Sequence, residues 1–312
     1  TGGLYNRVTH RIKLEPFTLA ECEAYFRERG GAYNRYQLVQ LYMVFGGIPF
    51  YLEQVDTGKS ALQNINDRCF APGGFMRAEF MYLFASLFKK SERHLAVVET
   101  LAQKTKGMER AELLQKSKLP NGGNATKVLR ELEESNFIRK YNGFGKSSKN
   151  AVYQLTDFYT LFFLKFIRPS DTLDNYVWGA DVPEFTAWSD YAFEQVCLQH
   201  VQQIKKALQI GSVITRSAAW SGSDGQRKAQ IDLVIDRRDG VINVFEIKFS
   251  TGTFTLSKAY AAELRDKISL FKEVTGTRKA VFLTMITTYG LTRTGVEGAL
   301  VQNELTMDVL FE

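Results

Sequence analysis

Cysteine, histidine and proline are scarce in this chain of 312 residues, at three, three and six copies. Cys22, Cys69 and Cys197 have no CxxC spacing, so a disulfide scaffold or a structural zinc site has little to build on. Long apolar runs are missing as well. The run Phe158 to Leu164 is closed by Asp157 and Lys165, far short of the ~20 residues a membrane span needs. The first residues hold no apolar leader, and a reduced, cytoplasmic setting is expected. His10 and His94 have no visible partner, and His200 reads as a satisfied core histidine. With no second His or Cys at ligand spacing, zinc chemistry is not expected, and Cys197 lacks a base that would make it a nucleophile.

What is present is ordinary globular chemistry, 45% apolar and 24% charged, with length for about two domains of usual size. Lys and Arg outnumber Asp and Glu by 40 to 34, which permits a nucleic-acid or anionic partner without requiring one. The opening Thr1-Gly2-Gly3-Leu4, without methionine, is expected to be the cut end of something longer.

Periodicity divides the chain into three. Residues 1–78 carry helical patterns over Glu21–Arg29 and Tyr36–Phe45, interrupted by Gly46, Gly47 and Pro49, with a restart over Phe50–Val55, as in a small helical bundle. Residues 79–168 carry helices over Glu79–Phe88, Glu92–Gln103, Arg110–Lys116 and Ala125–Ser135, the last with Asn124 as N-cap. Two short strands follow, Phe137–Tyr141 and Val152–Leu155, in the order of a winged helix. The two-stranded wing bears Arg139, Lys140, Lys146 and Lys149 with no acid among them, a charge suited to phosphates. Glu131, Glu133 and Glu134 on the preceding helix are poor for entering a major groove, so packing against protein stands beside DNA binding as a role for this unit. Residues 169–312 read as helix Phe185–Leu208, strands Val213–Trp220, Ala229–Asp236 and Val241–Phe249, helix Ser257–Thr275 and strand Lys279–Thr287. That αβββαβ order implies a mixed sheet covered by helices.

The chemistry concentrates in this last segment. Glu246 and Lys248 are two apart on one strand and share a face, roughly 7 Å from each other. Asp232 sits among apolar neighbours on the strand before, where a lone carboxylate is costly. A three-residue loop Arg238-Asp239-Gly240 would oppose Asp232 to Glu246, whereas a two-residue loop would turn Asp232 away; both turns remain open, and the charge pattern favours the first. On a helical projection Glu194 falls at about 100° from Phe193, inside the apolar arc of Cys197, Leu208, Val201 and Leu198. Three carboxylates gathered beside Lys248 would call for a divalent cation, and hard oxygen ligands select Mg²⁺ or Mn²⁺. Such an ion polarises a phosphodiester and lowers the pKa of its bound water, which points to phosphodiester hydrolysis. The plain alternative is a structural salt-bridge cluster. Lys258, Tyr260 and Arg265 on the following helix are either phosphate contacts or ordinary amphipathic surface.

Glu194, Asp232 and Glu246-Ile247-Lys248 in αβββαβ order resemble the PD-(D/E)XK nuclease superfamily, although Ile231 stands where that name has proline. The resemblance makes Asp232 and Glu246 metal ligands, Lys248 the water-positioning base and Glu194 the helix-borne acid completing the site. More widely, Arg11-Ile12-Lys13-Leu14-Glu15-Pro16-Phe17, Phe45-Gly46-Gly47-Ile48-Pro49-Phe50-Tyr51-Leu52 and Phe193-Glu194 with Cys197 resemble prokaryotic AAA-type (STAND-like, archaeal-type) ATPases that end in a nuclease-like domain. That similarity spans essentially the whole chain. It implies a helical lid (1–78), a winged helix-turn-helix (79–168) and a restriction-endonuclease-like domain (169–312), with DNA as partner and the ATP-binding core lying outside this sequence. Gly58-Lys59-Ser60 is not a P-loop, since Glu53 stands where the first glycine belongs and no strand precedes it, so ATP hydrolysis is not expected here. A catalytically inactive nuclease-like fold, used for DNA binding or regulation, is the rival expectation.

Overall fold

A computed structural model describes residue 10 and residues 12–146, 151–173, 176–292 and 299–312. Helix α1 (Leu19–Glu28) starts at Thr18, whose hydroxyl accepts from the Glu21 amide while the Glu21 carboxylate accepts from the Thr18 amide. α2 (Arg35–Phe45) is capped by Asn34 and stops at Gly46, whose φ of 63° suits glycine. A Cβ on the next residue, Gly47, would lie 2.0 Å from the Phe17 carbonyl oxygen. The glycine pair thus lets the segment before α1 lie directly against the end of α2, joined by the Phe17 amide on the Gly47 carbonyl at 2.7 Å. Short helices α3 (Pro49–Glu53) and α4 (Ala61–Ile65) complete this part.

The middle of the chain holds α5 (Phe75–Leu87), α6 (Glu92–Ala102), β1 (Met108–Glu109), α7 (Arg110–Lys116), α8 (Gly123–Glu134), β2 (Ile138–Tyr141) and β3 (Val152–Leu155). β3 lies between β1 and β2, antiparallel to both. α8 starts one residue before Asn124, with Gly122 at the cap position and no side-chain cap, so Asn124 does not play the expected part. The apolar run becomes α9 (Phe158–Phe162) and a π-helical turn, Phe163–Ile167, leading into α10 (Arg168–Ser170). It is buried. Phe162 and Phe166 pack their rings 5.1 and 4.5 Å from Trp178, which anchors the connection to the last segment.

There the expected single helix is two, α11 (Pro183–Gln199) and α12 (Val201–Ala207), broken at His200. The His200 ring is pinned on both nitrogens, Nδ1 to the Val196 carbonyl at 2.8 Å and Nε2 accepting from the Leu19 amide at 3.0 Å, as a satisfied core histidine. Strands β4 (Thr215–Ser223), β5 (Lys228–Arg237) and β6 (Val241–Lys248) follow, then β7 (Phe254–Thr255), α13 (Lys258–Thr275), β8 (Ala280–Thr287), β9 (Leu291–Thr292) and β10 (Asn303–Thr306). The five-stranded sheet has the order β10-β8-β6-β5-β4, antiparallel over β4, β5 and β6 and parallel over β6, β8 and β10. The expected strands are all there, whereas β7, β9 and β10 are too short and polar to announce themselves. The chain is therefore mixed α/β with a mixed sheet.

Apolar side chains cover both faces of that sheet. Leu233, Ile235, Phe245, Ile247 and Ile286 join a core that reaches back through α11 into the helices of the first two-thirds. Val234, Val244, Leu283 and Met285 face α13 through Leu264, Leu270 and Phe271. At roughly 1.5–3 kcal/mol per fully buried large apolar side chain, these layers hold the strands that carry the acidic residues. Among the described residues no helix is long and apolar enough to cross a membrane.

Candidate functional site

The β5–β6 hairpin sets the geometry. Its ladder pairs Asp236 with Ile242, Ile235 with Asn243 and Val234 with Val244, the register of a three-residue loop, and Gly240 takes a φ of 86° at the third loop position. Continued by two residues, this register would set Asp232 against Glu246. The ladder stops first. Between the pairs Ala218–Val234 and Trp220–Ile231, Asp232 and Leu233 together face the single residue Ala219 of β4, a β-bulge that re-aims Asp232. β5 and β6 part at this point, leaving a cavity of about 220 Å³ lined by Glu194, Gln230, Asp232, Glu246, Lys248 and Lys267 with the backbone around them.

The three expected carboxylates share this cavity but are held at two separate points. At the first, the Lys106 ammonium donates to Asp232 Oδ1 at 2.7 Å and to Glu194 Oε2 at 3.2 Å, while Gln230 Nε2 donates to the same Asp232 oxygen at 2.8 Å. At the second, Glu246 Oε2 accepts from Lys267 Nζ at 2.7 Å and Glu246 Oε1 accepts from the Tyr260 hydroxyl. Lys248 Nζ lies 3.7 Å from Glu246 Oε1 and 3.8 Å from Asp190 Oδ2, and 5.7 Å from the centre of the Tyr260 ring. Asp190, one turn before Glu194 on α11, also accepts from the Phe249 amide at 3.1 Å, which ties the helix to the end of β6. Among the described residues, no three of His, Cys, Asp and Glu are grouped closely enough to hold a metal ion.

The electrostatics follow from burial. The Glu194 carboxyl is pushed up to about 7, first by desolvation and then by the charge of Asp232, against the opposing pull of Lys106. Burial alone would depress the Lys106 ammonium, but Asp232 and Glu194 together outweigh it and hold its pKa above the ordinary lysine value. Desolvation and Glu246 raise the Tyr260 hydroxyl, keeping it a proton donor.

The expected nucleic-acid contacts come apart. Lys140, Lys146 and Lys258 are exposed, as is Arg265. Arg139 instead turns inward, donating to Gln154 Oε1 at 2.9 and 2.6 Å, and burial lowers its pKa. Lys149 lies outside the described residues. The described part of the β2–β3 connection packs against the sheet, with the Phe144 amide on the Ala219 carbonyl at 2.7 Å and the Phe144 ring 5.3 Å from that of Phe271. His94, without a partner in the sequence reading, has two: Glu131 Oε2 at 3.0 Å and the Lys90 carbonyl at 3.3 Å.

Lys106, Lys267, Tyr260 as a ligand of Glu246, Asp190 and Gln230 were not foreseen as parts of the site. Tyr260 and Lys267 are seven apart on α13 and so share a face, a signal available in the sequence. Lys106 offered none, because its partners lie 88 and 126 residues away. Compared with family models, curated proteins and solved structures, the chain matches none.

Proposed function

We propose that this chain is the nucleic-acid-processing portion of an AAA-type ATPase, made of lid helices, a winged helix and a PD-(D/E)XK-like domain that hydrolyses DNA phosphodiesters with Mg²⁺ or Mn²⁺. What carries the reading is that Glu194, Asp232, Glu246 and Lys248, from one helix and two strands, line a single polar cavity of about 220 Å³. The order β1, α7, α8, β2, β3 with β3 central supports the winged helix. The αβββαβ succession around the mixed sheet supports the nuclease-like fold.

The donor chemistry fits a hard divalent cation. Asp232 Oδ1 and Glu194 Oε2 already converge on one positive charge, the Lys106 ammonium, which stands in for such an ion. When bound there, the cation would polarise a phosphodiester and acidify water. Asp232 and Glu194 would hold it, and Glu246 would contribute from the side of β6. Lys267 and the Tyr260 hydroxyl fix the Glu246 carboxylate, so its orientation is set before any ligand arrives. Lys248, poised between Glu246 and Asp190, supplies the positive charge that orients water or offsets charge building on the phosphate.

A second reading, a catalytically silent module that binds DNA or regulates a partner, is favoured by the ion pairing of every carboxylate in the cavity and by the docked wing. Incubation with plasmid and Mg²⁺ or Mn²⁺ separates them. Metal-dependent nicking by the parent, reduced about a hundredfold or more in both Asp232→Ala and Lys248→Ala, is the expected result. No cleavage with either metal, or equal cleavage by all three proteins, transfers the assignment to the second reading.

A further inference from the structure

Lys106 belongs neither to the sheet nor to its covering helices. It stands on the turn between α6 and β1, in the unit that precedes the nuclease-like fold, and reaches 2.7 Å from Asp232 and 3.2 Å from Glu194. Its backbone is clamped. The Tyr141 hydroxyl donates to the Lys106 carbonyl at 2.9 Å, and Gln154 Nε2 donates to the Thr105 carbonyl at 2.7 Å. Gly107 takes a φ of 84°, and a Cβ there would lie 2.5 Å from the Tyr153 carbonyl oxygen, so the turn passes directly over β3 in a form that only glycine adopts easily. The same unit grips the sheet a second time, through Phe144 and Ala219, and Ala219 is the residue facing the bulge that aims Asp232. Arg139 and Gln154, packed together behind the turn, complete its support.

We propose that Lys106 is a built-in plug: the winged-helix-like unit delivers an ammonium to the position between Asp232 and Glu194 that a divalent cation would take, and metal loading requires its withdrawal. This rests on the function proposed above, since a plug presupposes a cation position. Physically the ammonium and the cation compete for the same two carboxylate oxygens. The ammonium is covalently supplied at high effective concentration, so it lowers apparent metal affinity by the fraction of time it is engaged. Lys267 provides the contrast, because it neutralises Glu246 from α13, within the same fold as the strand it serves.

Mn²⁺ binding, read by the loss of the free-ion EPR signal, tests this without any turnover. The proteins are the parent, K106M, K106Q, K267M and the double variant K106M/D232N, each checked for folding by circular dichroism. An ammonium engaged about nine-tenths of the time predicts about tenfold tighter Mn²⁺ binding in K106M and K106Q than in the parent. K267M, which removes the same charge from the other side of the cavity, is expected to shift affinity less, and K106M/D232N to lose binding. Equal affinity of parent, K106M and K106Q overturns the plug but leaves the cation position standing. Equal tightening by K106M and K267M also overturns it, since general electrostatics would then suffice. Absence of Mn²⁺ binding in all five proteins overturns both the plug and the metal-dependent reading.

Discussion

The two ends of the acidic cavity solve one problem in two ways. Glu246, with its side chain 11% exposed, is neutralised from within its own fold, by Lys267 and Tyr260 of the helix that covers its strand. Asp232 and Glu194 take their ammonium from Lys106, whose side chain is 40% exposed and whose turn, between α6 and β1, is distant in the chain. Lys267 and Tyr260 lie 21 and 14 residues from Glu246, whereas Lys106 lies 88 and 126 residues from Glu194 and Asp232. The Glu246 end is thus the more enclosed and the Asp232 end the more open to solvent.

The largest expected effect probes the enclosed end. Lys267→Ala leaves Glu246 without its closest cation and is expected to cost about 2–4 kcal/mol in urea denaturation at pH 7.5, against about 1–2 for Lys106→Ala, whose site is wetter. Equal losses would erase the distinction between the two ends. Next comes pH. The folded chain holds the Glu194 proton more tightly than the unfolded one, so its contribution is complete below about 4.5 and is lost as pH rises towards about 7. Stability measured across this window should fall by roughly 3 kcal/mol on this account, and Glu194→Gln should flatten the fall. An unchanged profile in that variant would place the titration elsewhere. Gly107→Ala, forced into a positive φ against the Tyr153 carbonyl, is expected to cost about 1–3 kcal/mol while leaving the Glu246 end intact. The smallest change, Tyr141→Phe, removes one hydrogen bond from the Lys106 carbonyl and should cost about 1 kcal/mol. In both variants the side chains of Lys267 and Tyr260 should keep their chemical shifts while those around Lys106 move. Movement at both ends would show that the cavity responds as one body.

Much of the site's frame was legible because it is local. Gly240 at the third loop position and the charge pattern favoured the hairpin register that β5 and β6 adopt, with a two-residue loop left open, and the projection of α11 brings Glu194 into the cavity. The bulge at Asp232 and Leu233 was not legible, since it depends on how β4 pairs with β5, and the one glycine in these two strands, Gly222, sits away from the irregularity. That bulge is why Asp232 and Glu246 meet different lysines although the register would oppose them. The break at His200 was hidden for a similar reason, because the ring's partner, the Leu19 amide, lies 181 residues away. Arg139 shows the limit of reading charge from composition: four basic residues looked alike along the wing, yet Gln154 draws this one inward while Lys140 and Lys146 stay exposed.

Crystals of the parent soaked in Mn²⁺ provide the most direct measurement, through an anomalous difference map at the manganese edge. A peak about 2.1 Å from carboxylate oxygens of both Asp232 and Glu194, with the Lys106 ammonium moved out of its present position, is the predicted result. Saturating Mn²⁺ with no peak in the cavity, or a peak with the Lys106 contacts to Asp232 and Glu194 unchanged, would contradict it.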